Sequence, residues 1–307
     1  MTSSEYYPYL SEAVRDSCFA FFDALDAKVW PIASQQQTVP TAFGPTFVRI
    51  SGPTGAPPLV LLHGATASSL MWSPNIQALS TSFRTFAVDQ VNEFGRSICT
   101  KPIRSFDDLL AWLNSLFDAL DLRSEVNLVG MSFGGALATQ YALHFPARLN
   151  KVVLLAPGAT VLRCTTEFYA RVILAAISSR RWLPSFIRWM FADMARQDPQ
   201  WIDATIEQLF INMRSLQRRH VHFPPVLTDA EWARLSVPAL FLVGEHEVIY
   251  SPGKAVRRLK RVAPQVTTEI IPDAGHDLTF AQAALVNRRI VEFLRPATSQ
   301  ISGACAC

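Results

Sequence analysis

The sequence predicts an α/β fold in which a mostly parallel central sheet is flanked by helices and carries a helical cap insertion. Short, continuous apolar runs such as 58–62 and 151–155 are typical of strands buried on both faces. Amphipathic runs such as 106–120 alternate with them, and this alternation favours a parallel sheet covered by helices. From Gly158 to about Pro225 the strand-like runs stop and helical segments follow one another, which indicates an insertion.

The first part of the chain predicts helices and strands in alternation after an N-terminal helical extension. Apolar residues from Phe19 to Val29 recur at helical spacing, so this region has a face to bury against the core. Pro31 ends that pattern, and the extension is predicted to cover about residues 1–36. The predicted elements are a helical region at 6–30, strands at 37–41, 46–50, 58–62 and 83–88, and helices at 72–79 and 106–120.

The second part of the chain predicts the same alternation on either side of the cap. The predicted elements are strands at 125–131, 151–155, 237–243 and 268–271, helices at 137–143, 254–262 and 283–294, and cap helices at 168–178, 184–195 and 201–218. We therefore predict that residues 1–157 and 226–307 form the core and residues 158–225 the cap. Trp182 and Trp189 lie among arginines in the cap; a membrane-surface helix is one interpretation, and a solvated outer face is the favoured one.

The composition bounds the class of protein. With 307 residues, 50% of them hydrophobic, the chain can bury the core of one large domain. A net charge of +3, scattered along the chain, does not argue for a nucleic-acid partner, and no apolar run approaches the ~20 residues of a membrane span. The oligomeric state is left open.

The start of the chain and its five cysteines bear on the compartment. The start carries no basic segment followed by an apolar one, so we predict no secretory signal. The cysteines are dispersed and odd in number, which argues against a disulfide framework and favours the reduced cytoplasm. The ending Cys305-Ala306-Cys307 is similar to a double-prenylation signal, but a frayed tail is the favoured interpretation.

The segment from Glu125 to Ala136 carries the most informative motif. An apolar run ends in Gly-Met-Ser-Phe-Gly at 130–134, and a helix-like segment follows. This is the strand–turn–helix context of a nucleophile elbow, in which Gly130 and Gly134 avoid collisions with neighbouring backbone. Ser132 is therefore predicted to present its hydroxyl at a helix N-terminus, where the helix dipole favours developing negative charge. The alternative, a turn without chemistry, explains the flanking strand and helix less well.

Ser132, Glu247 and His276 come at the ends of three predicted strands, and in a parallel sheet such ends share one edge. A serine hydroxyl needs a base to take its proton, and His276 is the candidate base. A carboxylate must orient the imidazole and stabilise its cation, and Glu247 is predicted to do so. Glu245 and Asp273 are weaker candidates for the acid because of their positions in the two loops.

An oxyanion hole is the remaining requirement. The backbone N–H of Phe133, next after Ser132, is one predicted donor, and the N–H of Ala65 in the loop after the strand 58–62 is the other. Gly64 lets that loop approach closely. For His63 a bond within the loop and a direct role are equally open.

Together these residues resemble the α/β-hydrolase superfamily over nearly the whole chain. The most specific parts are His63-Gly64, Asp89 with Gly95-Arg96-Ser97, the 130–135 motif and Gly275-His276. The opening at 39–44 and the run 244–250 are similar to a microbial carboxylesterase-like branch. Most capped members carry Asp where this chain has Glu247, so the acid departs from the usual pattern.

The resemblance implies a serine hydrolase that needs no cofactor or metal and cleaves an ester-like bond of a small, largely apolar substrate. The aromatic cap motivates the apolar substrate, with Trp182 and Trp189 as candidate binding residues. Hydrolysis of a carbon–carbon bond or perhydrolysis by the same triad is an alternative. A non-catalytic receptor or scaffold of the same fold is another.

Overall fold

The structure is a computed structural model that describes residues 7–217 and 225–295, without the side chain of Ser179. Within these ranges, eight strands form one sheet in the order β1-β2-β4-β3-β5-β6-β7-β8. The strands are β1 Gln35–Val39, β2 Thr46–Ser51, β3 Pro58–Leu62, β4 Arg84–Val88, β5 Val126–Met131, β6 Leu149–Leu155, β7 Ala239–Gly244 and β8 Val266–Ile271.

The sheet is parallel except at one side, where β2 runs antiparallel to both β1 and β4. The strand β3 lies at the centre, and its Val60 stands opposite Phe86 of β4 and Leu128 of β5. The carboxyl ends of β3, β5, β7 and β8 therefore meet at one edge. This arrangement confirms the predicted mostly parallel α/β fold.

Helices cover both faces of the sheet. The longer helices are α1 Glu12–Val29, α2 Ser73–Ser80, α3 Phe106–Ala119, α4 Phe133–His144, α5 Thr166–Ile177, α6 Ser179–Met190, α8 Pro199–Ser215, α10 Pro252–Val262 and α12 Ala283–Leu294. The short ones are α7 Ala192–Gln197, α9 Asp229–Ala233 and α11 Leu278–Ala281.

The core consists of two apolar layers because side chains of a strand alternate between its faces. On β3, Val60 and Leu62 pack into the layer that contains residues of α3, α4 and α10. Leu59 and Leu61 pack into the opposite layer, which contains residues of α2 and α12. All four side chains are fully buried, as the continuous apolar run predicts.

The helix starts follow from local capping. Ser105 accepts a hydrogen bond from the Asp108 amide at the start of α3, and Thr165 does the same for Phe168 at the start of α5. Asp198 caps α8, and Thr228 forms a reciprocal capping box with Glu231 at α9. These side chains satisfy amide donors that have no partner inside a helix.

Several predicted boundaries are corrected. The N-terminal helix begins at Glu12, after the cap residue Ser11, and not near residue 6. The strand predicted at 37–41 runs from Gln35 to Val39. The cap segment predicted at 184–195 is not one helix, because the chain leaves helical geometry at Phe191 (φ −113°, ψ 50°) and divides it between α6 and α7. The helix predicted at 201–218 is α8, which runs from Pro199 to Ser215, and residue 218 of that prediction lies outside the described residues.

The helices α5 to α8 follow one another between β6 and β7. The division into a core and a cap at 158–225 stays a prediction, as does the cytoplasmic location. In the described part of the chain, no helix is long and apolar enough to cross a membrane. Cys18, Cys99 and Cys164 are free thiols, whereas Cys305 and Cys307 lie outside the described residues.

Candidate active site

Ser132 lies in the tight turn between β5 and α4. Its backbone has φ 54° and ψ −113°, an uncommon conformation for a residue with a side chain. The turn is fixed by hydrogen bonds from the Ser132 amide to the Leu155 carbonyl (2.9 Å) and from the Gly158 amide to the Ser132 carbonyl (3.1 Å). Residues held in this way cluster at active sites, where surrounding contacts keep the strain in place.

The glycines around Ser132 are required by close backbone contacts. A Cβ on Gly130 would lie 2.2 Å from the Gly134 carbonyl oxygen, and one on Gly134 would lie 2.3 Å from the Leu62 carbonyl oxygen. Both distances are far below van der Waals contact. The predicted reason for the two glycines of the motif is thus confirmed. Gly64 and Gly158 also border the serine. A Cβ on Gly64 would lie 3.5 Å from Ser132 Cβ, and a Cβ on Gly158 would lie 3.8 Å from Ser132 Oγ.

His276 comes from the loop that follows β8 and is 3% exposed. Its Nε2 lies 2.9 Å from Ser132 Oγ, within hydrogen-bond reach of the hydroxyl proton. Its Nδ1 lies 2.8 Å from Oε2 of Glu247. The two ring nitrogens therefore join the serine to a carboxylate.

Glu247 comes from the loop after β7, and its side chain is fully buried. Besides His276, it accepts the Ile249 amide on Oε1 at 2.8 Å, so both carboxylate oxygens have a donor. The other two candidate acids lie elsewhere. Glu245 and Asp273 are exposed and meet each other, with the Asp273 amide 3.4 Å from Oε2 of Glu245. Of the three carboxylates considered for the acid, the structure brings Glu247 to the histidine.

The two predicted oxyanion donors flank the serine. Phe133 is the first residue of α4, and Ala65 follows Gly64 in the loop after β3. Among the described residues, neither the Ala65 nor the Phe133 amide has a hydrogen-bond partner. Two unpartnered N–H groups beside a serine can bind a negative oxygen.

The loop that carries Ala65 is held from both sides. The amide of Thr66, which has a positive φ of 60°, donates to Oε2 of Glu93 at 2.8 Å. The Thr66 carbonyl accepts from Asn212 of α8 at 3.3 Å. His63 is fully buried, and its Nε2 accepts the Gln90 amide at 3.0 Å while Nδ1 lies 2.7 Å from the Gly64 carbonyl oxygen. These contacts give His63 a role in holding the loop.

Asp89 and the Gly95-Arg96-Ser97 motif form a second fixed turn at the same edge. The Asp89 carboxylate accepts the amides of Ser69 (2.7 Å) and Arg96 (2.8 Å). Gly95 has φ 147°, and a Cβ there would lie 2.7 Å from the Asp89 carboxylate. The motif therefore shapes the loops beside the site and is separate from the serine–histidine–glutamate chain.

Three aromatic residues of the segment between β6 and β7 bear on the predicted substrate contacts. Trp182 is 36% exposed with the Arg181 guanidinium 5.3 Å from its ring, and Trp189 stacks on Phe186 under Arg171. The cap ring that meets the catalytic candidates is Phe191, which lies nearly parallel to His276 at 6.4 Å. A substrate-binding role for Trp182 and Trp189 stays a prediction.

Sequence reasoning did not find Phe191. Its signal was weak, because Phe191 is one of many large apolar residues in the cap, and the helix break that turns it inwards was not predicted. Asp193, His246 and Asp277 were also missed, although Asp277 directly follows His276. Among the described residues, no group of three or more His, Cys, Asp or Glu side chains is arranged to hold a metal ion.

The chain belongs to the Alpha/beta hydrolase family, whose profile matches residues 59–289. The carboxylesterase YbfK of Bacillus subtilis is 34% identical over 92% of this chain and 96% of its own length. A second carboxylesterase of the same organism, nap, is also 34% identical, over 88% of this chain and 90% of its length.

Solved structures agree with these relatives. The naproxen esterase of Bacillus subtilis, carboxylesterase NP, superposes with a TM-score of 0.84 at 34% identity, covering 94% of this chain and all of that one. The carboxylesterase CesB (YbfK) has a TM-score of 0.81 at 33% identity, covering 91% and 98%. The protein is a hydrolase of the carboxylesterase type.

Proposed function

We propose that the protein is a cofactor-free serine carboxylesterase that cleaves a small, largely apolar ester through an acyl-enzyme on Ser132. The observation that carries this proposal is the unbroken chain from Ser132 Oγ through His276 to Glu247, with distances of 2.9 and 2.8 Å. Nucleophile and base are within reach, and a third group orients the base, as covalent catalysis requires. The carboxylesterase relatives support the same conclusion.

Acylation begins when Ser132 Oγ attacks the ester carbonyl carbon and His276 Nε2 takes the hydroxyl proton. Glu247 keeps Nδ1–H pointed at its carboxylate and stabilises the imidazolium that forms. His276 then gives the proton to the leaving alcohol as the carbon–oxygen bond breaks. In the second half, His276 takes a proton from water as the water oxygen attacks the acyl carbon. His276 then returns that proton to Ser132 Oγ as the bond between Oγ and the acyl carbon breaks and the carboxylic acid leaves.

The negative oxygen of each tetrahedral intermediate would bind the amides of Ala65 and Phe133. Because these donors are fixed in advance by the loop contacts and by α4, they need no reorganisation as charge develops. The positive end of α4 adds to the same stabilisation.

The apolar character of the substrate is inferred from the rings beside the base. Phe191 lies against His276, Trp201 packs against Phe191, and Phe280 lies 4.7 Å from Trp201. Phe133 meets Phe106 on the serine side. Apolar walls with a few convergent polar groups are typical of small-molecule sites. We infer from these contacts that residues 158–225 act as a cap over the site.

Carbon–carbon hydrolysis, perhydrolysis and a receptor role use or retain the same three residues. We prefer ester hydrolysis because the relatives that cover most of this chain at 34% identity are carboxylesterases. A naproxen ester belongs in the substrate panel beside p-nitrophenyl esters of graded chain length, since one relative is a naproxen esterase.

The substitution Ser132→Ala tests the proposal. We expect ester turnover to fall by about 10⁴-fold or more, because the nucleophile is lost. A fluorophosphonate should label the native chain and not the variant, and circular dichroism should report an unchanged fold. A folded alanine variant that hydrolyses esters at near the native rate would exclude the serine mechanism.

A further inference from the structure

Asp277 is a buried carboxylate beside the proposed base that the mechanism above does not use. It is fully buried and directly follows His276. Its Oδ1 accepts the amide of Gly275 at 3.1 Å, within the histidine loop. Its Oδ2 accepts the amide of Met194 at 2.8 Å, and Met194 belongs to α7. This side chain therefore ties the histidine loop to a helix outside the sheet.

Asp193, the preceding residue of α7, makes the matching contact with the acid loop. Its side chain is 4% exposed, and its two oxygens lie 3.1 and 3.2 Å from Nδ1 of His246. Arg196 also pairs with it. His246 directly precedes Glu247, and its amide donates to the Ala274 carbonyl at 2.9 Å. One helix thus bonds to the loops of both the base and the acid.

Gly275 provides the room for this convergence. A Cβ at this position would lie 3.3 Å from Oδ2 of Asp193, 3.5 Å from Oδ1 of Asp277 and 3.2 Å from the His246 carbonyl oxygen. A side chain here would press on the α7 contact. The glycine of the Gly-His motif therefore lets a carboxylate from α7 approach the histidine loop.

Two carboxylates in one buried place are unfavourable without compensation. Burial, and after it the charge of Asp193, raise the pKa of Asp277. Hydrogen bonds from the Met194 and Gly275 amides, with His246 and Arg196 at Asp193, offset this cost. Apolar residues of the same size could pack α7 onto the loops without the cost of burying two carboxylates. The hydrogen bonds therefore fix the orientation of α7 relative to the loops as well as holding it in place.

We infer that Asp193 and Asp277 latch α7 onto the two triad loops and are positioning residues for His276 and Glu247. The inference rests on the proposed function, because it supposes that these two side chains do the chemistry. Both carboxylates act through neighbours in the chain: Asp277 orients the backbone around His276, and Asp193 holds His246 next to Glu247. The Phe191 ring, just before α7, lies nearly parallel to that of His276 with 6.4 Å between the ring centroids.

The test compares Asp277→Ala, Asp277→Asn and Asp193→Asn in the full chain with Asp203→Asn as the matched control. Asp203 is an exposed carboxylate on α8 that pairs with Arg188, so its substitution removes a charge and an ion pair away from the loops. Hydrogen exchange of peptides covering 190–197 measures the latch itself. Steady-state kinetics on one p-nitrophenyl ester measure its effect.

We expect Asp277→Ala to speed exchange at Met194 by about tenfold or more, since the amide loses its acceptor. We expect kcat to fall about 10- to 100-fold with little change in KM, because small displacements of a catalytic group slow the chemical step more than binding. Asp277→Asn, which keeps one acceptor oxygen, should be milder. Asp193→Asn should also lower kcat, and Asp203→Asn should change neither measurement.

Three results would overturn the inference. Faster exchange with unchanged kcat would make the latch irrelevant to positioning, and lower kcat with unchanged exchange would mean that Asp277 acts by another route. If neither the exchange rate at Met194 nor kcat changes, Asp277 does not hold α7 onto the loops. If Asp277→Ala does not fold, Asp193→Asn decides the question in the same way. Exchange is measured without turnover, so an active Ser132→Ala variant would end the proposed function and leave the latch measurement standing.

Discussion

At the scale of single residues, the candidate acid Glu247 uses both of its carboxylate oxygens. Glutamate reaches one methylene further than aspartate, and Glu247 uses that reach to meet His276 while its second oxygen binds the Ile249 amide. The loop is tied back by the Glu247 amide, which donates to the Gly244 carbonyl at 3.2 Å.

Substitution of the three loop carboxylates should separate their roles. We expect Glu247→Gln to lower kcat by about 10²- to 10⁴-fold, because the amide removes the charge that stabilises imidazolium and can favour the wrong tautomer. Glu245→Gln and Asp273→Asn, both at exposed positions, should change kcat little. Side-by-side kinetics decide the matter, and the assignment is wrong if Glu247→Gln is the mildest of the three.

The buried Asp277 also makes stability depend on pH. Its pKa is raised above the ordinary value of 3.8, first by burial. At a pH between the ordinary pKa and the raised one, Asp277 is protonated in the folded protein but ionised in the unfolded chain. This contribution to stability is therefore present at low pH and is lost as pH rises through the raised pKa.

Asp277→Asn cannot titrate and serves as the reference for this effect. We expect the free energy of unfolding of the native chain, relative to that of Asp277→Asn, to increase as pH falls from neutral through the mildly acidic range. Urea unfolding of both proteins across that range measures the difference. A difference that does not change with pH would contradict the raised pKa.

At the scale of elements, the turn between β5 and α4 has backbone contacts at Gly134 that leave no room for a side chain. A Cβ on Gly134 would meet two backbone oxygens, at 2.3 Å for Leu62 and 2.5 Å for His63. These carbonyl oxygens belong to the backbone of β3 and the residue after it, so they cannot move away as the end of a flexible side chain could. The start of α4 and the end of β3 are therefore in contact through Gly134.

Gly134→Ala should destabilise the fold, with Gly55→Ala as the control. We expect Gly134→Ala to lower the free energy of unfolding by about 1–3 kcal/mol through overpacking. Gly55 lies in an exposed turn where an added Cβ has nothing within 4 Å, so its substitution should stay within about 0.5 kcal/mol. Urea unfolding compares the two, and equal effects would contradict the packing argument.

At the scale of the whole molecule, the segment between β6 and β7 contacts the loops at the sheet edge through specific hydrogen bonds. Its own apolar cluster includes Leu183, Ile187 and Ile202, separate from the two layers on the sheet. Its links to the loops of the site include the α7 latch, the bond from Asn212 to the Thr66 carbonyl, and the bond from the Thr165 amide to the Ile249 carbonyl at 2.8 Å. We therefore expect the Phe191 ring to affect which substrate binds, whereas the contacts of α7 affect how fast the bond is cleaved.

Phe191→Ala tests that expectation, with Ile177→Ala as the control. Removal of the ring beside His276 should enlarge the pocket and shift the preference among p-nitrophenyl esters towards longer acyl chains by about tenfold in kcat/KM. Ile177 is 76% exposed on α5, and its truncation should leave the preference unchanged. If both variants keep the native preference, Phe191 does not line the pocket.

The sequence by itself determined the α/β class, most strands and helices, and the residues of the proposed triad and oxyanion hole. It could do so because strand and helix periods, capping residues and the Gly-x-Ser-x-Gly turn are local patterns, fixed by sterics over a few residues. The order of the strands then brings their carboxyl ends to one edge, which follows from the topology of a parallel sheet.

Only the tertiary structure decided where the aromatic rings of the segment between β6 and β7 lie and how α7 joins both triad loops. Asp193 and His246 are 53 residues apart, and Met194 and Asp277 are 83 apart. The break at Phe191 that aims α7 at the site has no proline or glycine to announce it. Contacts of this kind depend on the relative placement of distant segments, which packing of the whole chain sets and no local pattern encodes.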